Sequence, residues 1–474
     1  MGLINRRDFL RQSATGVVGL GLLQAGCRLE GTKRPNFIII FCDDMGYGDW
    51  GHAGNPTIST PNLNRMAEEG VVMTQFYSAA SVCSPSRAAL LTGRYPIRNG
   101  MVRVLFPYDN RGIPESELTL AALLKKRGYT TAAIGKWHLG HLQPYLPTSK
   151  GFDSYFGIPY SNDMDRSYFG QPAVPIPLMR NEEIIEQPCD QATVTKRYTE
   201  EAVKFIQEQK SSPFFLYLAH TMPHVPLYVS DAFRGKSRRG LYGDVIEEID
   251  WSVGQILQTL RDLGLDKDTL VFFTSDNGPW MTTKQHGGTA GQFRGAKGST
   301  WEGGVREPFI AWCPGKLPAS KVTAEIGTTM DLFTTCLTLA GASIPTDRPI
   351  DGKNIYPVFQ GLKPSPHETI YYYWSNELVA IRYKNYKLHF KTNDSVIRYQ
   401  NWAVCETPEL YDIEVDPSER FNLAADLPQV VADLMQRADA FKAEIESRNE
   451  NADFIQALSD RWIELEQQAR VIKK

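Results

Sequence analysis

Carboxylates, imidazoles and ammonium groups gather behind short apolar runs in this chain. Asp43 and Asp44 follow Phe37 to Cys42, Lys136 and His138 follow Thr131 to Ile134, His220 and His224 follow Phe214 to Ala219, and Asp276 and Asn277 follow Leu270 to Thr274. If Asp43, Asp44 and Asp276 converge they repel, because two unit charges about 4 Å apart cost roughly 4 kcal/mol at an effective dielectric near 20. A cation removes that cost. All the candidate ligands offer oxygen, Asn277 through its amide carbonyl, so a hard ion such as calcium fits better than zinc. An isolated Asp-Asp pair more often caps a helix or sits in a solvated loop, so the metal reading requires convergence.

A nucleophile is available at Cys83-Ser84-Pro85-Ser86-Arg87. Proline is favoured in the first turn of a helix, which places Cys83 at the positive end of the helix dipole. Backbone N–H groups there, with Arg87 one turn on, make a site for a tetrahedral anion. From these residues alone, a thiolate nucleophile stabilised by that field and a buried structural cysteine both remain open.

The runs that carry these residues, together with Phe309 to Trp312, are short and apolar enough for strands covered on both faces of a parallel sheet. Helical patterns lie between them at Pro61 to Glu69, Glu117 to Arg127, Glu200 to Gln209 and Val245 to Leu263. This alternation predicts an α/β domain with helices on both faces, and in open α/β sheets ligands bind beyond the carboxyl ends of the strands. Past about residue 345 the pattern changes. Glu368 to Trp374 and Lys384 to Phe390 read as exposed strands and Val430 to Glu446 as an amphipathic helix, which predicts a catalytic domain over 34–345 and a C-terminal α+β subdomain over 346–474.

The segment CSPSRAALLTGR, residues 83–94, resembles the signature of the type I sulfatases, whose cysteine is oxidised to formylglycine. FCDDMGYGDWG before it, and GKWHLGH, AHTMPHVPL, TSDNG, GAKGSTWEGGVREP and LYDIEVDPSERFNLA after it, all occur in the family order, so the likeness covers about residues 34 to 425. The region from Arg111-Gly-Ile-Pro through Gly157-Ile-Pro-Tyr-Ser161 looks most like the arylsulfatase A and N-acetylgalactosamine-6-sulfatase branch. The resemblance implies an alkaline-phosphatase-like fold: a mixed, mostly parallel sheet between helices, with a smaller antiparallel sheet. It implies calcium held by Asp43, Asp44, Asp276 and Asn277 with the modified Cys83 close by, and a sulfuric ester hydrolase acting on a sulfated carbohydrate or aryl sulfate.

In such an enzyme the aldehyde is hydrated to a diol. One hydroxyl attacks sulfur, and deprotonation of the other expels sulfate, a second step that a serine could not perform. Fixed positive groups must meet the charge on the transferring group, and the resemblance assigns Arg87, Lys136 and Lys297 there. It assigns His138 as the base that reforms the aldehyde, His224 as the acid at the leaving oxygen, and Ser161, Lys136, His224 and Lys297 as sulfate contacts. His141 and His286 could line the pocket; His52 reads as structural. Tyr108, Tyr160, Tyr168, Phe169 and Trp280 could stack on a sugar or pack ordinarily.

The N-terminus reads as a twin-arginine export signal: Asn5-Arg6-Arg7-Asp8-Phe9-Leu10 precede a weakly apolar run from Gly16 to Leu23. That run falls short of the roughly 20 residues a membrane span needs. Residues 1–30 are therefore expected to direct export to a bacterial periplasm or cell surface through the twin-arginine machinery, with Cys27 a possible lipid-attachment point. A formylglycine-generating or sulfatase-maturating enzyme is the implied partner for Cys83. A formal net charge of -3 gives no electrostatic case for nucleic acid. The remaining cysteines, Cys42, Cys189, Cys313, Cys336 and Cys405, read as small buried hydrophobes. Two rivals stand: a phosphodiester or phosphonate hydrolase of the same superfamily, and a sulfated-glycan-binding protein that leaves Cys83 unoxidised.

Overall fold

A computed structural model describes residues 34–168, 170–393, 402–448 and 450–472. The export segment with Cys27, and Phe169, lie outside the described residues. Ten strands form one sheet in the order β10-β2-β9-β8-β1-β7-β3-β4-β5-β6. They are β1 Asn36–Cys42, β2 Val71–Tyr77, β3 Thr130–Gly135, β4 Ser154–Gly157, β5 Leu178–Arg180, β6 Glu183–Glu186, β7 Phe214–Ala219, β8 Thr269–Ser275, β9 Phe309–Trp312 and β10 Lys321–Thr328.

The centre, β8-β1-β7-β3-β4, is parallel. Every residue of β1 is buried, and its side chains alternate between two cores as the two-residue period of a strand requires. Ile38 and Ile40 pack with helices Pro61–Glu69, Val194–Glu208 and Leu241–Asp262. Phe37, Ile39 and Phe41 pack with helices Cys83–Thr92, Leu120–Lys125 and Asp331–Leu339 on the other face. The α/β expectation is borne out, with one difference: β9 runs antiparallel to both β8 and β2. An apolar run of four residues reports burial and leaves direction open. The helix predicted over Glu117 to Arg127 shortens to Leu120–Lys125, because Thr119 accepts a hydrogen bond from the Ala122 N–H and so sets its start.

A second, antiparallel sheet follows in the order β11 Thr369–Trp374, β12 Glu377–Tyr383, β13 Tyr386–Asn393 and β14 Trp402–Asp412. Helix Pro428–Ser447 packs Leu434, Ala438 and Phe441 against Ile381 and Leu388 of this sheet. The expectation of exposed strands is corrected here. Lys387, Leu388 and His389 of β13 are fully buried, because Lys387 meets the buried carboxylates of Glu302 and Glu419, and His389 that of Glu419. Helix Ala452–Ile472, absent from the sequence reading, closes the described chain. The five remaining described cysteines are free; four are buried, and Cys405 is partly exposed.

Candidate active site

The parallel strands end at one edge, in register: Cys42 of β1 lies beside Ser275 of β8, and Gly135 of β3 beside Ala219 of β7. The residues after Cys42, Ser275 and Gly135, namely Asp43, Asp276 and Lys136, lie past the end of the sheet. At Gly135, φ is 108° and a Cβ would stand 1.8 Å from the Ala219 carbonyl oxygen, so only glycine lets β3 approach closely enough for the Lys136 N–H to donate to that carbonyl at 2.8 Å. Asp44 and His138 adopt the left-handed region, at φ 65° and 62°. Backbone of this kind costs about 1 kcal/mol or more in a non-glycine residue, and it concentrates at functional sites.

Asp43, Asp44 and Asp276 converge, with carboxylate oxygens within 4.8 Å of one another. The Asp44 N–H donates to Asp276 Oδ1 at 3.1 Å, and the Asp276 N–H to the Cys42 carbonyl at 3.0 Å. Cys83 is the first residue of its helix, with Pro85 third instead of first; a proline there still removes no intrahelical bond, since the first-turn N–H groups have no partner within the helix. Arg87, one turn on, reaches Asp276 at 2.8 Å and Asp43 at 3.5 Å. Lys136 Nζ lies 2.5 Å from Asp43 and donates to Ser161 Oγ at 3.0 Å. Lys297 Nζ lies 2.7 Å from Asp44 and 3.8 Å from Cys83 Sγ, and sits over the Trp280 ring at 4.5 Å. His224 Nε2 is 3.6 Å from Asp44. All of these except Trp280 are buried.

Burial opposes ionisation of Asp43, yet Lys136, then His224 and Arg87, hold its carboxyl well below the usual range. Burial, and then the charge on Asp43, push Asp276 up to about 7 against the pull of Arg87. Burial likewise pushes the Cys83 thiol up to about 11 although Lys136 and Lys297 draw it down.

The carboxylate cluster fits a hard cation. Asn277 spends its amide N–H bonds on Asp44 Oδ1 at 2.7 Å and the Gly278 carbonyl at 2.9 Å. Its Oδ1 is left buried without a hydrogen bond, as is Oδ1 of Asp43. Buried acceptors without donors are costly, and an ion bound only by oxygen satisfies them.

Two backbone carbonyls set the histidine tautomers. His138 Nε2 lies 2.9 Å from the Leu105 carbonyl, which can only accept, so the proton sits on Nε2 and Nδ1 keeps a lone pair. Nδ1 is buried and has no partner. Burial, then Lys136, hold this imidazole well below its ordinary pKa. His224 donates from Nδ1 to the Val225 carbonyl at 2.7 Å, which leaves Nε2 facing Asp44. Burial and Lys297 lower its pKa against Asp44 and Asp43. Sequence reasoning missed both carbonyls, since a main-chain acceptor leaves no signal in residue type.

The site leaves the other candidates aside. His220 is buried 3.3 Å from Ser252 Oγ on helix Leu241–Asp262. His141 packs edge-on against Tyr160, His286 is exposed, and His52 stacks on Trp50. Tyr108 stacks on Phe106, the Tyr160 hydroxyl donates to the Pro175 carbonyl, and the Tyr168 hydroxyl donates to Asp163. Trp280 lies under Lys297 and beside His224, with ring centroids 5.2 Å apart.

The sulfatase family model matches residues 35–342, the stretch that holds every one of these groups, and the model of the C-terminal region of aryl-sulfatases matches residues 365–470. The chain belongs to the sulfatase family. As a sulfatase it is a sulfuric ester hydrolase. It is 43% identical over 445 residues to N-acetylgalactosamine-6-sulfatase of Mus musculus, covering 85% of this chain and 84% of that one. It is 38% identical over 450 residues to arylsulfatase A of Homo sapiens, covering 88% of each. Among solved structures it resembles the PsFucS1 sulfatase from Pseudoalteromonas sp. with a TM-score of 0.81 and 28% identity, covering 89% of this chain and 92% of that one. None of the described helices is long and apolar enough to cross a membrane.

Proposed function

We propose that this sulfatase releases inorganic sulfate from sulfated carbohydrates, with Cys83 converted to formylglycine and calcium held by Asp43, Asp44, Asp276 and Asn277. The observation that carries the reading is charge. Arg87, Lys136 and Lys297 balance the three aspartates, so a divalent ion leaves two positive charges for an anionic substrate. Similarity to N-acetylgalactosamine-6-sulfatase supports a sugar sulfate as substrate. The ion would neutralise carboxylate repulsion and draw charge from the sulfate oxygens. Formylglycine at position 83, once hydrated, would supply one hydroxyl for attack on sulfur and a second whose deprotonation would expel sulfate.

The remaining roles belong to this chain's own residues. Lys136, Ser161 and Lys297 hold the sulfate group, and Arg87 fixes Asp43 and Asp276. His138 takes the second hydroxyl's proton on Nδ1, the nitrogen its bond to Leu105 keeps bare. His224, protonated at Nε2, gives that proton to the leaving alcohol. Oxidation of Cys83 requires a formylglycine-generating or sulfatase-maturating enzyme. The paired arginines support passage through the twin-arginine machinery to a bacterial periplasm or cell surface, with Cys27 as a candidate for lipid attachment.

Turnover of paired nitrophenyl sulfate and nitrophenyl phosphate, followed by a panel of sulfated sugars, tests the proposal. Faster turnover of the phosphate overturns it in favour of the phosphoester class; binding of sulfated sugar without sulfate release, over an unoxidised Cys83, overturns it in favour of a binding protein.

A further inference from the structure

We propose that Asn393, at the end of β13, is a positioning residue for Lys297, which makes the C-terminal sheet part of the reaction apparatus. The inference rests on the sulfatase reading for what Lys297 does and on geometry for how it is held.

Lys297 lies in a glycine-rich loop, with Gly295 and Gly298 at φ 79° and 80°. Its Nζ must lie 2.7 Å from Asp44 and 3.8 Å from Cys83 Sγ, at the end of a long side chain whose direction depends on its own peptide. That peptide and the two that follow it are each held by a hydrogen bond. The Lys297 N–H donates to the Pro279 carbonyl at 3.0 Å, and the Gly298 N–H to the Ser81 carbonyl at 2.9 Å, two residues before Cys83. The Gly298 carbonyl accepts from Asn393 Nδ2 at 2.6 Å. The first two anchors come from loops beside the ten-stranded sheet; the third comes from the C-terminal sheet.

The grip is reciprocal. Trp301 Nε1 donates to the Asn393 carbonyl at 3.0 Å, so side chain and main chain of one residue hold both ends of the loop. Glu419 accepts from the Glu302 N–H at 2.6 Å, and its carbonyl accepts from Arg294 at 2.8 Å. Asn393 is 6% exposed, so water does not readily replace its amide, and without Nδ2 the Gly298 carbonyl loses this buried donor. Gly298 offers no side chain to hold the peptide plane. The loop immediately past Lys297 is then free to shift and to displace Lys297, and a misplacement of about 1 Å costs as much as about 100-fold in rate.

A four-enzyme cycle of wild type, Asn393→Ala, Lys297→Ala and the double variant tests this, read as kcat/KM for nitrophenyl sulfate and, separately, as affinity for inorganic sulfate by calorimetry. Asn393→Asp, nearly the same shape but unable to donate, serves where the alanine variant does not fold. The expected result is a loss of about tenfold in the Lys297 background, a partial misplacement, and less than about twofold in the Lys297→Ala background. An equal loss in both backgrounds, or none in the first, overturns the proposal. A wild-type enzyme that binds sulfate but hydrolyses no ester sinks the sulfatase reading and leaves the cycle to stand on affinity. One that does neither overturns both.

Discussion

At the residue scale, the two site histidines face opposite protonation demands. His138 must be neutral to accept a proton at Nδ1, and His224 must be charged to donate one at Nε2. Burial lowers both pKa values, with Lys136 and Lys297 adding to it. His138 therefore stays neutral at any pH above its depressed value, whereas the active form of His224 is lost as pH rises through a value below the ordinary one of about 6.5. The expected profile of kcat/KM lies on the acid side and falls toward neutrality. His224→Ala is expected to remove that falling limb and to slow sugar sulfates by about 100-fold, within the range for general acid catalysis. Nitrophenyl sulfates, whose leaving group needs no proton, should slow far less. Equal losses for the two substrate types would place the acid elsewhere.

At the scale of elements, β1 shows why the site could be read early. Seven buried residues run into Asp43 and Asp44, so the apolar run that reports a central strand also places the carboxylates at its end. The same logic placed Lys136, His224 and Asp276. Signals faded where burial was partial: β10 is half exposed along much of its length, and β4 to β6 are strands of only three or four residues. Leu105, whose carbonyl holds His138, was illegible because any residue supplies that carbonyl. Between His220 and His224 the sequence motif favoured the second, and the first is buried against helix Leu241–Asp262 with its pKa pushed down to about 4. The unfolded chain thus takes up this proton before the folded one does. Stability contributed by the neutral form is present above about pH 6.5 and is lost as pH falls toward about 4, by at most ~3 kcal/mol. Denaturant unfolding of wild type and His220→Gln across that window should show a shallower acid slope in the variant; parallel slopes would mean that His220 is not the group titrating.

At the scale of the whole molecule, a buried ionic cluster joins the two sheets. Lys387 of β13 lies 2.8 Å from Glu302 and 3.3 Å from Glu419, and all three side chains are fully buried. The Tyr77 hydroxyl donates to Glu302 at 2.7 Å and accepts from Arg382 at 2.5 Å, and Arg306 reaches Glu302 at 3.1 Å. Burial opposes ionisation of Glu302, but Lys387, Arg306 and Arg382 bring its carboxyl down to about 2. Lys387→Met keeps the length and leaves buried carboxylates short of a cation, so it should destabilise the protein by about 3–5 kcal/mol in denaturant titration; a change under about 1 kcal/mol would make the cluster incidental. Sulfate transfer at position 83 is read most directly from the intact mass of the Cys83→Ser chain after exposure to an excess of nitrophenyl sulfate. One hydroxyl can attack and no second exists to expel sulfate, so the expected product is one covalently bound sulfate per chain, carried on residue 83, without turnover. Continuous sulfate release by this variant, or a sulfate carried on any other residue, would contradict the account.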